Sequence, residues 1–390
     1  MRPLFLAASA LIFAWPGAAA ADWSDWSISP ASFALDDWTA SVGGSLSGAA
    51  YLADEPGRSA RPGLTGSTLL TPRLVDDLDN GWEIAAHAAL LAYRDELSGD
   101  IYGNRLFEKA YMSLQTQYGR LEVGQQDGAA YALSVVGPKV DDAVSLDAAG
   151  VTFFRNPVTG EPLIDGFRLK TGEFATENFA KISYYTPRLY GIELGGSFTP
   201  YEARDVLPFA GRGMIVPDRQ TNLLEAAANY DGDLGPVSTD VYAAAVIGHD
   251  AARTEGHNDL LDWGIGAALG YELGEVGLTI GGGFRHANAY AFDSDAAFRQ
   301  GATRSYRLSI TATSGAWIPG FEFIDGTADR EAKLPGLTER GYEPSLGYVV
   351  NSNLQLTLGW QHLLLRRDPP ASDAGNSALD AAFVHARLHV

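Results

Sequence analysis

The chain has 390 residues, 28 Lys and Arg against 48 Asp and Glu, no cysteine, and a formal net charge of −20 at pH 7. That charge argues against nucleic-acid binding, whose electrostatic footprint is basic, and without cysteine the fold must be held by its own sheet rather than by disulfides. Mean hydropathy is −0.07, and beyond the first residues no apolar run approaches the roughly 18 needed for a transmembrane helix; strands that hide an apolar face in every second residue stay allowed.

Residues 1–21 read as a signal peptide. Arg2 supplies the positive start, Leu4 to Trp15 the apolar run, Pro16-Gly17 the break and Ala18 to Ala21 the small residues for cleavage after Ala20 or Ala21. One exported domain, 22–390, is expected to follow. Its 44 glycines, 17 tyrosines and 8 tryptophans suit many short strands with interfacial aromatics.

After a lead-in with Trp23 and Trp26, alternation begins at Asp37 to Ala49 and returns at Gly63 to Val75. The DDLDNG turn, Asp76 to Gly81, separates this from Trp82 to Arg94; Asn80-Gly81 favours hairpin geometry because both tolerate positive φ. The same six residues lack the later carboxylate of a calcium-binding loop, so they are read as a turn. Phe107 to Gln126, FEKAYMSLQTQYGRLEVGQQ, then forms two strands around Tyr118-Gly119-Arg120. Ala110, Met112 and Leu114 share one face, Lys109, Tyr111 and Ser113 the other, which is the pattern of a wall wet on one side only. We expect this hairpin to be ordinary wall.

About fifty residues without alternation follow, Asp127 to Glu177, and a loop that long in a regular chain is usually functional. Strands resume at Asn178 to Pro187, Tyr190 to Pro200, Thr221 to Tyr230, Val237 to Gly248, Asp259 to Glu272 and Val276 to Ala289. Thr303 to Thr313, Trp317 to Gly326, Tyr342 to Val350, Asn353 to Arg366 and Ala378 to Val390 complete the set. In the last, Ala382, Val384, Ala386 and Leu388 are assigned to lipid and Phe383, His385, Arg387 and His389 to the interior. The expected total is sixteen strands of about 10 to 13 residues, close to what a tilted spanning strand needs. Short turns alternate with long loops, the asymmetry of a transmembrane barrel, and in lipid such a sheet must close on itself. The fold expected is an all-β, closed antiparallel transmembrane barrel with its long third loop folded into the lumen. A secreted β-sandwich is the alternative, disfavoured by the strand length.

Two stretches, KAYMSLQTQYGRLEVGQQD before the long loop and AKISYYTPRLYGIELGGSFTP after it, resemble the sixteen-stranded trimeric general porins of Gram-negative outer membranes. The resemblance covers the mature chain by the order and spacing of its strands. The terminal strand departs from it, ending in Val390 where such barrels usually end in an aromatic residue. The resemblance implies a water-filled outer-membrane channel, narrowed by the third loop, passing ions and small hydrophilic solutes, in a homotrimer with no cofactor. A substrate-selective channel and a non-conducting barrel adhesin or enzyme stay open as alternatives.

Candidate site residues follow from charge placement. The loop 127–177 holds eight acids, among them Asp141, Asp142, Asp147, Glu161 and Asp165, against four bases. Arg73, Lys109, Lys181, Arg285, Arg307 and Arg387 fall on the wet face of wall strands. Acids facing bases across a narrow lumen would set up a transverse field that orients dipolar solutes. Net acidity points to a mild cation preference.

Enzyme signals are poor. There is no Gly-x-Ser-x-Gly elbow, and the glycines Gly264, Gly266 and Gly270 lie inside a strand with no helix behind them, unlike a nucleotide loop. His385 and His389 would stand about 13 Å apart on one strand, too far to share a metal. The small outward residues of Gly264 to Gly270 and of Ala243 to Gly248 would let another barrel wall approach closely, or are ordinary strand filler.

Overall fold

A computed structural model describes residues 28–54, 59–94, 107–146, 153–154, 171–172, 176, 179–201, 220–250, 259–288, 300–330, 336–368 and 376–390. The expected signal peptide, Trp23 and Trp26 lie outside these residues. The first half of the wall is β1 (Ala31–Leu35), β2 (Trp38–Asp54), β3 (Arg61–Asp77), β4 (Glu83–Arg94), β5 (Phe107–Thr116), β6 (Gly119–Gln125), β7 (Ala180–Tyr185) and β8 (Ile192–Tyr201). A one-turn helix, α1 (Ala129–Ala132), opens the segment between β6 and β7. The second half is β9 (Gln220–Leu234), β10 (Val237–Asp250), β11 (Leu260–Leu273), β12 (Val276–Ala287) and β13 (Gln300–Ser314). It ends with β14 (Trp317–Arg330), β15 (Gly336–Val349), β16 (Leu354–Asp368) and β17 (Asn376–His389).

Every strand from β2 to β17 pairs antiparallel with its neighbour in sequence, and β17 pairs back onto β2 through Asp380↔Asp54 to His389↔Ser45. The sixteen expected strands are all present, and closure leaves no edge to the lipid. Period-two alternation sets the two faces. On β9, Leu223 is 0% exposed and Leu224 50%, because successive side chains point to opposite sides of the pleat. Tight connections gather at one end. Those after β9, β11 and β13 turn on Gly235, Gly274 and Gly315, each at positive φ, which is cheap only without a Cβ. Long connections, including the one after β6, gather at the other end.

Two expectations need correction. The sixteen ring strands, β2 to β17, run from 6 residues in β7 to 17 in β2 and β3, rather than 10 to 13. The opening hairpin is not ordinary wall, since β6 has only 7 residues and its partner β7 only 6. The wall is cut short where the long segment leaves it, because that segment takes up room on the inner side.

β1 was not expected. Its five residues are too few for alternation to register, and all are exposed. It completes the seam: Val390 and Gly44 exchange backbone hydrogen bonds at 2.9 and 3.0 Å, and β1 then takes over the same edge from Val42 to Trp38. Asn353 ties the parts together. Its Nδ2 donates to the carbonyls of Ile28 (2.8 Å) and His389 (2.7 Å), and its Oδ1 accepts from the Ile28 N–H at 2.8 Å. Asn353→Ala is expected to cost about 1–3 kcal/mol through the unsatisfied groups it leaves and to raise hydrogen exchange in β1 while sparing β9 and β10; unchanged exchange in β1 would disprove the clamp.

Candidate functional site

The described residues after β6 hug the inner wall and pass its strands in order. At the base, Lys109 pairs with Asp127. Lys181, 3% exposed, donates its Nζ to the Gln126 carbonyl at 2.8 Å and to that of Thr176. Next, α1 docks on β8 to β10. The Ala129 N–H donates to Ser197 Oγ (2.8 Å) and the Ala130 N–H to Glu225 Oε2 (2.9 Å). Ala129, Ala130 and Leu133 pack with Tyr185, Leu223, Ala227, Tyr242 and Val246 in a dry cluster. A Cβ on Gly128 would lie 2.0 Å from the Glu225 carboxylate, so a larger residue there would push that acceptor aside.

Beyond α1 the backbone sinks into inner-face glycines. A Cβ on Gly266 of β11 would meet the Val135 carbonyl at 2.0 Å, and one on Gly320 of β14 would meet Val140 Cγ2 at 2.4 Å. Gly266 therefore faces the lumen and receives this segment, which leaves Ala267 as the small outward residue of the Gly264 to Gly270 stretch. Among the small residues of β10, Ala243 and Ala245 do face outward while Ala244 and Gly248 are buried on the inside.

Asp141 reaches β16 and β17. Its Oδ2 accepts from Thr357 Oγ1 (2.8 Å) and from His385 Nδ1 (2.6 Å), and its Oδ1 from the Ala143 N–H (3.0 Å). Gln355 and Gln361 donate to the carbonyls of Val140 and Val144 at 2.7 and 2.6 Å, and Ser145 Oγ donates to Glu322 Oε2 at 2.8 Å. Farther along, the Phe153 ring lies 4.9 Å from that of Phe383 on β17 and 5.2 Å from that of Tyr51 on β2.

Burial alone would raise the pKa of Asp141. The hydrogen bonds and charge offered by His385, with those from Thr357 and Ala143, outweigh it and hold the carboxyl below its ordinary range. A lowered folded pKa stabilises the docked segment above the ordinary carboxylate value and loses that contribution as pH falls through the folded one. Wild type should therefore outlast Asp141→Asn on heating at neutral pH and lose that advantage below about pH 4. Heat-modifiable gel mobility across pH checks this, and an unvarying gap between the two proteins would refute it.

The expected site residues divide. Asp141 is buried as an anchor, and Asp142 is the open one, its side chain 73% exposed and 3.9 Å from Lys139. Asp147, Glu161 and Asp165 lie outside the described residues. Arg73 pairs with Glu83 at 2.7 Å on the inner face of β3 and β4. Arg285 forks onto the fully buried Asp262, with Nε at 3.0 Å and Nη2 at 2.6 Å. Arg307, 1% exposed, meets Glu322 at 3.0 Å and donates to the Pro138 carbonyl at 3.3 Å. Arg387 sits on the inner-face rows of β17, half-buried. Four of the six bases thus carry an acid beside them, and Lys181 holds carbonyls.

Reasoning from charge on the loop missed the acids of the wall. Glu225, Asp262, Glu322 and Glu343 are all buried on inner faces, and Glu322 stands directly across from Glu343 in the β14–β15 register. The signal was present as acids at inward positions of alternating strands. A second polar group lies on β3 to β6. His87 stacks on Tyr111 (4.5 Å) and bonds Ser113 (2.9 Å); Arg120 pairs with Glu122 at 2.9 Å and stands 4.5 Å over Tyr185. Among the described residues, Arg73, His87 and Arg120 bond only to wall residues.

A closed sixteen-strand antiparallel barrel, apolar outside and polar within, with its short turns at one end, is the architecture of an outer-membrane channel. The family model for Gram-negative porins matches residues 7–385, and the chain belongs to that family. It is an outer-membrane channel for small solutes. Among solved structures, an outer-membrane channel, DcaP, of Acinetobacter baumannii aligns with TM-score 0.58 at 9% identity, covering 92% of this chain and 100% of its own. The trimer form of OmpT, an outer membrane protein of Vibrio cholerae, aligns at 0.55 and 11%, covering 91% and 100%. An anion-selective porin from Comamonas acidovorans aligns at 0.53 and 16%, covering 90% and 100%. At these identities the likeness is one of fold. No curated protein matches the chain by sequence.

Proposed function

We propose that the chain is a passive diffusion pore for ions and small hydrophilic solutes, exported through a cleaved signal peptide, 1–21, and assembled as a homotrimer, with 127–177 as its constriction loop. The observation that carries this reading is the path of 127–146. Pinned from β8 round to β17, it lies along that side of the lumen, and among the described residues none of it covers the polar faces of β3 and β4. With Arg73, Lys109, Arg285 and Arg307 beside acids, the bases do little to attract anions, and the exposed Asp142 and the net charge of −20 favour cations weakly, screened beyond about 8 Å. The trimer form of the Vibrio cholerae protein supports the oligomer. The absence of a catalytic role follows the family rather than any feature of the lumen.

In a planar bilayer, stepwise ohmic conductance is expected, with a reversal potential of cationic sign in a salt gradient. A folded protein that never conducts would overturn the pore, and an anionic reversal potential would overturn the selectivity alone.

A further inference from the structure

The inner face of β3 and β4, which none of the described loop residues covers, continues onto β5 and β6 in one polar and aromatic cluster. Arg73, His87 and Tyr111 stand directly opposite one another in the β3–β4 and β4–β5 register, and Ser41 of β2 extends the row. Three strand spacings make that row about 14 Å long. His87 and Tyr111 stack at 4.5 Å with their planes 12° apart, and His87 Nε2 is bonded to Ser113 Oγ at 2.9 Å. Toward the short turns, Arg73 pairs with Glu83 at 2.7 Å and Arg120 with Glu122 at 2.9 Å. Gly124 is level with the row, so the cluster lies on the turn side of the point where the chain leaves β6 after Gln125. Lys109, one inner-face step toward the loops, belongs to the base of the long segment through Asp127.

Three features set what fits here. The charge is balanced, with two arginines matched by two glutamates, so neither an anion nor a cation meets an uncompensated partner. Hydrogen-bonding groups are left over. The Arg73 side chain is 44% exposed and spends only Nη2 on Glu83, and among the described residues the Tyr111 hydroxyl has no partner. Between these groups the stacked pair presents flat apolar surface, and aromatic lining with a few placed polar groups is the makeup of a small-molecule site.

We propose that this cluster is a station for neutral sugars in transit. A sugar ring has C–H groups on its faces and hydroxyls around its edge. The faces pack on the His87 and Tyr111 rings, while the hydroxyls accept from the guanidinium groups and donate to the glutamates. An aromatic carboxylate is disfavoured, because Glu83 and Glu122 stand beside the arginines that would hold it. The station rests on the reading of the chain as an open pore and names one solute class that the pore holds briefly.

The test records single-channel current in a planar bilayer, first in plain salt and then with maltose, with a polyethylene glycol of the same mass, or with benzoate. Current in plain salt tests the pore itself, and its absence would overturn pore and station together. Maltose should lower the current saturably, and the polyethylene glycol only in proportion to its concentration. Tyr111→Ala should raise the half-blocking maltose concentration about tenfold, the upper worth of an aromatic contact. Tyr111→Phe keeps the ring and should raise it only about threefold, the worth of one hydrogen bond. Each variant's own current in plain salt shows that it has folded. Maltose block that never saturates, or an equal half-blocking concentration in Tyr111→Ala, would overturn the station and leave the pore standing. Benzoate blocking at lower concentrations than maltose would overturn the sugar as its ligand.

Discussion

Replacing Glu322 with alanine is expected to destabilise the folded barrel by about 3–5 kcal/mol, the cost of stranding a buried charge. Arg307 and Glu322 are 1% and 2% exposed and 3.0 Å apart, so without this carboxylate the guanidinium keeps its desolvation penalty and loses the attraction of that charge. The damage extends to the loop, since Ser145 loses its acceptor and the Pro138 carbonyl shares the same guanidinium. Replacing both partners with leucine should cost less than Glu322→Ala, because no buried charge is stranded and only the bonds to Ser145 and the Pro138 carbonyl are lost. Urea midpoints of the refolded barrel measure this. Equal losses in the single and double variants would show that the ion pair is not what matters at this position.

The second large effect concerns the bed of the loop. Gly266→Val should lower single-channel conductance and destabilise by about 1–3 kcal/mol, the usual range for overpacking. The new Cβ would lie 2.0 Å from the Val135 carbonyl and 2.6 Å from Tyr242. The wall is held by ladders on both sides, so the segment must shift away from it, toward the barrel axis. Ala267→Val, outward on the same strand, is the control and should leave conductance unchanged. Equal conductance in both variants would mean that the segment does not bound the passage.

Much of this was legible in the chain itself. Each of the sixteen ring strands could be found because burial on one side and lipid on the other write opposite demands onto successive residues. The asymmetry of turns and loops identified the segment after Gln126 as the third long connection. What alternation could not report is length and company. The shortening of β6 and β7, and the five residues of β1, depend on what fills the space beside them. Asp141 and Asp142 are adjacent and chemically alike, yet one is locked to His385 and Thr357 and the other stands open.

The same division holds for the channel as a whole. A closed wall with a wet interior could be read from alternation alone, because period-two patterning is local to each strand. Which charges are available to a solute depends on contacts between strands far apart in the chain. Arg285, Arg307 and Lys181 read as lumen bases, but partners distant in sequence, Asp262, Glu322 and the carbonyls of the loop, occupy them. A charge acts on a passing ion only through what its neighbours leave uncompensated. Those neighbours come from strands that the register brings together and from a segment that crosses them in turn.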